Sequence, residues 1–278
     1  LRTALMPRKG DWVAMSFLRL GASCVVVDAN GDVLLSQRGD LKTWLTPGGR
    51  LDRGETLADC AIREAREETG IAAELIRPVG LYYRPGWNRL NVLFLARKTG
   101  GDLLAKTHET LDNRFFSLDD LPAQAHNIKQ IKHALDGKTI LHEYDFNRDE
   151  FCRLKRKFAA RYFQNLLAGR PEPRYPRFNV QAVGIIEDGQ GRVLASGEKY
   201  LPGVVIDGSA PPWKVLQTRI RVRFNEDITL HWRGIWHYTG RDRITFVFAG
   251  SVQNLEHPTL MHISQLRQHH RHLIDLSH

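Results

Sequence analysis

The stretch from Gly49 to Ile71, GRLDRGETLADCAIREAREETGI, constrains this chain more than any other. A glycine pair (Gly48, Gly49) and a short polar loop precede a segment crowded with acids. Thr56, followed three residues later by Asp59, is a capping-box start. Gly70 suits the left-handed residue that ends a helix. Leu57, Ala61 and Ala65 recur every four residues as a narrow apolar stripe, which predicts a helix packed on a sheet. Glu64, Glu67 and Glu68 stand at i, i+3 and i+4, so the three carboxylates share one side of that helix. Like charges at this spacing repel by ~0.2–0.5 kcal/mol, and acids in a last turn meet the negative end of the helix dipole. Clustered carboxylate oxygens are what Mg²⁺, Mn²⁺ or Ca²⁺ prefer, and a bound cation removes both penalties. A bare E-x-x-E-E is more often a solvated acidic face. The spacing that continues outward from this one decides between the two.

That spacing resembles the Nudix box, G-x5-E-x7-R-E-U-x-E-E-x-G-U with U apolar. Gly49, Glu55, Arg63, Glu64, Ala65, Glu67, Glu68, Gly70 and Ile71 fill its fixed positions, Ala65 being small for a U. The resemblance implies a loop–helix–loop that binds Mg²⁺ or Mn²⁺ and hydrolyses a nucleoside diphosphate linked to another moiety X. It implies Glu67 and Glu68 as the first metal ligands and Glu64 as a third ligand or the base. A backbone carbonyl at Gly48 or Gly49 would assist, Gly49 being the position assigned to the metal. Arg63 and Glu55 are expected to form an ion pair that fixes the loop against the helix. Glu109, in His108-Glu109-Thr110, falls on what resembles the family's acidic loop, as a base or an extra ligand. Trp44 in W-x-x-P-G-G is a packing position. Pro85, fifteen residues beyond Gly70, resembles the ADP-ribose pyrophosphatase subgroup, although Pro-Gly is also a common turn.

Three further residues are candidates for substrate binding. Arg38 follows a predicted strand and can reach phosphates or simply lie on the surface. Tyr83 and Trp87 can stack on a base or ribose, or serve as core and turn-covering aromatics.

A chain of 278 residues with 42% hydrophobic and 26% charged residues has the composition of an ordinary globular protein of one or two domains. Cys24, Cys60 and Cys152 are too widely spaced for a disulfide framework or a C-x-x-C metal site, which favours a cytoplasmic setting. No run of 18 apolar residues and no signal-peptide pattern is present, so no membrane partner is expected. The chain begins at Leu1 rather than Met, which leaves room for a preceding segment. The net charge of +9 is concentrated between Phe151 and Arg177, where Arg153, Lys155, Arg156, Lys157, Arg161, Arg170, Arg174 and Arg177 face one acid, Glu172. A basic helix can meet nucleic acid, but a solvated face is the commoner use. The histidines near the end (His262, His269, His270, His272, His278) lack a carboxylate or cysteine spaced to complete a metal site.

The second half repeats the first. Residues 178–198 align on 18–38 at an offset of 160, with Asp28/Asp188, Gly31/Gly191, Val33/Val193 and Leu34/Leu194 identical. Residues 234–248 align on 80–94 at an offset of 154. Between these blocks, where the acidic helix belongs, the chain reads WKVLQTRIRVRF (Trp213 to Phe224) with no acid. The expected architecture is α/β: tandem Nudix-fold domains, each a mixed sheet sandwiched between helices. The expected boundaries are 1–140 for the catalytic unit, 141–177 for a basic helical linker and 178–278 for a unit without the metal box. The partner is a nucleotide-derived small molecule, with a homodimer allowed and nucleic acid not expected. The alternative is a nucleotide-sensing regulator whose basic linker contacts DNA.

Overall fold

The computed structural model describes residues 17–39, 42–169, 175–196, 198–238, 240, 242–252 and 256–266. The start of the chain, residues 170–174 of the expected linker and most of the histidine-bearing end lie outside the described residues.

The opening hairpin pairs β1 (Arg19–Val27) with β2 (Val33–Arg38). Its turn is closed by Asp28, whose Oδ1 accepts from the amides of Asn30 and Asp32. Then come β3 (Trp44–Leu45), β4 (Gly48–Arg50), α1 (Leu57–Thr69), β5 (Ala72–Arg84), β6 (Arg89–Gly100), β7 (Thr110–Phe116), α2 (Ile128–Leu135) and β8 (Ile140–Glu143). The sheet runs β3-β2-β1-β6-β5-β8, with β4 also on β1 and β7 also on β2. It is mixed, because β1 and β6 are parallel while β5 and β6 are antiparallel. α1 starts on the expected capping box, Thr56 Oγ1 accepting from Asp59 N and Asp59 Oδ2 from Thr56 N. It stops at Gly70, whose φ of 77° only glycine adopts without strain. Leu57, Ala61 and Ala65 are buried against the sheet as predicted. α2 covers the opposite face with Ile131 and Ala134. It starts only at Ile128, because the backbone of 124–126 pairs with Trp44.

α3 (Arg148–Leu167) buries no residue, and its basic side chains are solvated. Its attachment is aromatic: Trp87 packs edge-on against Phe151 and Phe158 at centroid distances of 4.9 and 5.6 Å. The expected linker starts later than residue 141, since 140–143 pair in parallel with Gly80 to Tyr83 and so complete the first sheet.

The second sheet contains β9 (Asn179–Glu187), β10 (Arg192–Leu194), β11 (Gly203–Val205), α4 (Pro212–Phe224) crossing it, β12 (His231–Tyr238), β13 (Arg243–Ser251) and β14 (Leu260–His262). The order is β12-β13-β9-β10-β14, with β11 on β9. Its registers repeat those of the first sheet. Arg19↔Arg89 becomes Asn179↔Arg243, Val27↔Val33 becomes Glu187↔Val193, and Ala22↔Gly49 becomes Ala182↔Val204. Among the described residues the outer face of this sheet carries no α-helix, and Val183, Ile185 and Val247 are covered by Leu201, Met261, Ile263 and Leu266, the last two in and just after a short 3-10 turn.

The two sheets share a core. Leu57, Ala61 and Tyr83 belong to the same buried cluster as Val180, Leu216 and Phe246. Two reciprocal hydrogen bonds cross the junction: Tyr83 Oη donates to the Gly208 carbonyl ahead of α4 at 2.7 Å, and Leu57 N at the start of α1 donates to His237 Nε2 at 3.4 Å. Tyr83 and His237 are equivalent positions of the repeat at the offset of 154, so the same strand position in each unit reaches toward the other. His237 accepts only as a neutral ring. Burial holds its pKa below the ordinary histidine value, with Asp59 pulling the other way. The unfolded chain therefore takes up this proton first, near pH 6.5, and folded stability falls as pH drops below that point. Between pH 7.5 and 5.5 the urea midpoint of the wild type is expected to fall relative to that of His237→Gln, the raised carboxylates Glu64 and Glu68 contributing the opposite slope equally to both proteins. Equal slopes in the two proteins would remove this contact from the account.

Candidate active site

The glycine pair and α1 are tied together by the alternation of an antiparallel ladder. Cys24 N donates to Pro47 O and Leu51 N to Leu20 O, both at 3.1 Å. Between them Ala22 and Gly49 form the next bonded pair, so the Gly49 carbonyl turns toward β1. Gly48, one residue earlier, points both its N–H and its C=O away from β1. Its N–H donates to Glu68 Oε2 at 3.0 Å. The metal assignment to Gly49 is thereby corrected: the outward carbonyl belongs to Gly48, and Gly49 contributes space. A Cβ on Gly49 would collide with the Glu64 carboxylate.

Arg63 organises the acids. Its Nε and Nη2 donate to the two oxygens of Glu55 at 2.9 and 2.8 Å, and Nη2 also reaches the Arg50 carbonyl at 3.1 Å. The expected loop-fixing pair is present as a bidentate fork. Burial by itself would raise Glu55, but the hydrogen bonds from Arg63 and the Asp52 amide outweigh it and hold the carboxyl below its usual range. Arg63 Nη1 in addition bridges Glu64 at 3.0 Å and Glu67 at 3.1 Å. Part of the repulsion assigned above to a cation is therefore relieved by this guanidinium. Among the described residues no three His, Cys, Asp or Glu side chains stand close enough together to hold an ion as they are.

Burial separates the three glutamates. Glu68 is 6% exposed, and its pKa is pushed up to about 7, first by desolvation and further by Glu64 and Glu109, against the Gly48 amide and Arg38. Glu64 is also buried and raised for the same first reason, with Arg63 opposing. Glu67 lies at the rim with 57% of its side chain exposed. Arg38 and Glu109 both act electrostatically on Glu68, in opposite directions. Their loops are joined by Gly39 N donating to the Glu109 carbonyl at 3.1 Å.

Two expected substrate contacts fall elsewhere. Tyr83 is 1% exposed with its hydroxyl committed to Gly208, so no base can stack on it. Trp87 seats α3. Asn113 on β7 was missed. Its Nδ2 donates to the Glu68 carbonyl and to the Leu104 carbonyl, both at 2.8 Å, which pins the end of α1 that carries the carboxylates. Its only signal was an amide in an otherwise strand-like run.

Arg63→Lys is expected to lower kcat/KM by about 10- to 100-fold and to shift the metal-activation curve to higher metal concentration, since an ammonium cannot hold Glu55 in a fork while bridging Glu64 and Glu67. Metal titration of the rate checks this, and an unchanged activation curve would contradict it.

The donors gathered here are all oxygens: two buried carboxylates, one at the rim and an outward carbonyl. They fit a hard divalent cation. A bound ion of that kind is suited to chemistry at phosphate groups. The NUDIX domain model matches residues 17–135. A Bacillus subtilis protein named "Putative 8-oxo-dGTP diphosphatase" is 38% identical over 102 residues, 37% of this chain and 68% of its own length. A Pseudomonas putida protein, "NAD-capped RNA hydrolase NudC", is 33% identical over 110 residues, 38% of this chain and 40% of its own length. This chain thus spans about two-fifths of the NudC relatives it matches. A solved ADP-ribose pyrophosphatase of Streptococcus suis is 26% identical with a TM-score of 0.39, covering 45% of this chain and 98% of that one. The chain belongs to the Nudix family of hydrolases, which generally use divalent metals. Among the described residues no helix is long and apolar enough to cross a membrane.

Proposed function

We propose that this chain hydrolyses the phosphoanhydride of a nucleoside diphosphate derivative, releasing a nucleoside monophosphate and a phosphorylated X. The observation that carries this reading is the buried Glu68, tied to the Gly48 amide and facing Glu64 across a glycine with no side chain. Two desolvated carboxylates side by side are costly unless a countercharge joins them. Glu64, Glu67, Glu68 and the Gly48 carbonyl would hold Mg²⁺ or Mn²⁺. When bound, the ion neutralises phosphate charge and acidifies water. Arg63 and Glu55 keep the loop and helix in register, so that the carboxylates meet the substrate already oriented. In this reading Arg38 binds a phosphate oxygen and Glu109, exposed on its loop, takes the proton from an attacking water.

Within this class ADP-ribose and nucleotide sugars are tested first, on the Pro85 position. 8-oxo-dGTP and NAD-capped RNA follow, because relatives carry those names. The test is a screen of these compounds with Mg²⁺ and with EDTA, products resolved by chromatography. Metal-dependent release of a monophosphate is expected. No turnover of any of them, together with salt-dependent DNA binding in a gel shift, would favour the regulator instead.

A further inference from the structure

The repeated registers fix which residue of α4 stands for which residue of α1. Both helices have 13 residues, and both end on a left-handed cap, Gly70 and Asn225, 155 positions apart. Leu57 and Pro212, the first residues of the two, are separated by the same 155. On that offset Glu64 corresponds to Arg219, Glu68 to Arg223 and Gly48 to Gly203. The hairpin offset of 160 makes Ser196 the counterpart of Ser36 and Glu198 that of Arg38.

The counterparts of Arg38, Gly48 and Glu68 line a cleft in the second unit. Ser196, Glu198, Tyr200, Gly203 and Arg223 border an open cavity of about 440 Å³, within the range of small-molecule sites. Its chemistry is inverted. Gly184 N donates to Pro202 O at 2.8 Å, so Gly203 is the intervening residue whose N–H points away from β9, as Gly48 does from β1. In the first unit that amide is answered by the Glu68 carboxylate. In the second the same place is taken by Arg223, another donor, with Arg219 one turn before it, and both are exposed. Gly203 and Arg223 both line the cavity, so two donors stand at the positions where the first unit has a donor and an anion.

We propose that this cleft binds a phosphate-bearing small molecule of nucleoside monophosphate size. The phosphate would occupy the place of the missing carboxylate, between the Gly203 amide and the Arg223 guanidinium. Tyr200 borders the remaining space as a flat surface for a base. Glu198 works against an anion and tunes the affinity downward. No catalysis is assigned to this cleft. The proposal does not depend on the substrate of the first unit.

The test is calorimetric titration of the full chain with AMP and with pyrophosphate in EDTA, where the carboxylate cleft repels anions. One site is expected, weakened at least tenfold by Arg223→Ala, abolished by Arg223→Glu and tightened severalfold by Glu198→Gln. Arg223 is exposed, so both of its variants are expected to keep the wild-type circular dichroism and hydrolytic rate. A preference for AMP over pyrophosphate assigns a role to the base, and equal binding assigns phosphate alone. No binding to wild type, or wild-type affinity in Arg223→Ala, overturns the proposal while leaving the hydrolase reading intact.

Discussion

Glu68→Gln is expected to lower kcat/KM by about 10²- to 10³-fold, ~3–4 kcal/mol of transition-state stabilisation. The amide keeps the size of the side chain and one acceptor for the Gly48 N–H, but it removes a charge from the all-oxygen site. The fold is not expected to suffer, because Glu68 is almost wholly buried and its ionised form is already disfavoured there. A thermal midpoint equal to or above wild type, alongside the loss of rate, is the combined signature. Glu67→Gln should also lose rate, and its melting behaviour should barely change because its side chain is largely in water. Hydrolysis at full speed in either variant, at saturating Mg²⁺, removes the carboxylates from the chemistry. Loss of rate with an equally large loss of folded protein would instead make Glu68 a structural residue.

The second large effect is on stability. Tyr83→Ala is expected to cost ~3–5 kcal/mol, the range for deleting a buried aromatic ring. Tyr83→Phe should cost about 1–3 kcal/mol, because it leaves the Gly208 carbonyl without its donor. Tyr83 is 1% exposed, belongs to the core that both sheets share, and reaches across the junction with its hydroxyl. Urea unfolding followed by tryptophan fluorescence and by circular dichroism measures both variants. Coincident transitions are expected, since a shared core couples the halves. If the halves unfold separately, or if the alanine variant loses under 1 kcal/mol, the shared core is not what holds them together.

The second sheet shows how far pattern carries and where it stops. Identities spaced at 160 and 154 residues predicted a repeated sheet, and the strand registers run at those offsets. What no pattern gave was the cover of that sheet's outer face, to which the segment 260–266 contributes through contacts made only when the chain returns from a distance. The aromatics near residue 85 tell the same story. Tyr83 and Trp87 read equally well as ligand surfaces or packing residues. The choice was made by Gly208 and by α3, more than a hundred and about sixty residues further on respectively.

From the sequence by itself came whatever depends on neighbours within a few turns: the capped start and glycine stop of α1, its apolar stripe, the three acids on one side, and the Arg63–Glu55 pair. Helix periodicity, capping and charge spacing are local, so they can be read along a line. Tertiary structure alone decided which carboxylates lose their water, that Gly48 rather than Gly49 turns a carbonyl outward, and that Arg63 already bridges Glu64 and Glu67. Burial and ladder phase depend on which distant strand lies alongside, and that is set only when the sheet closes.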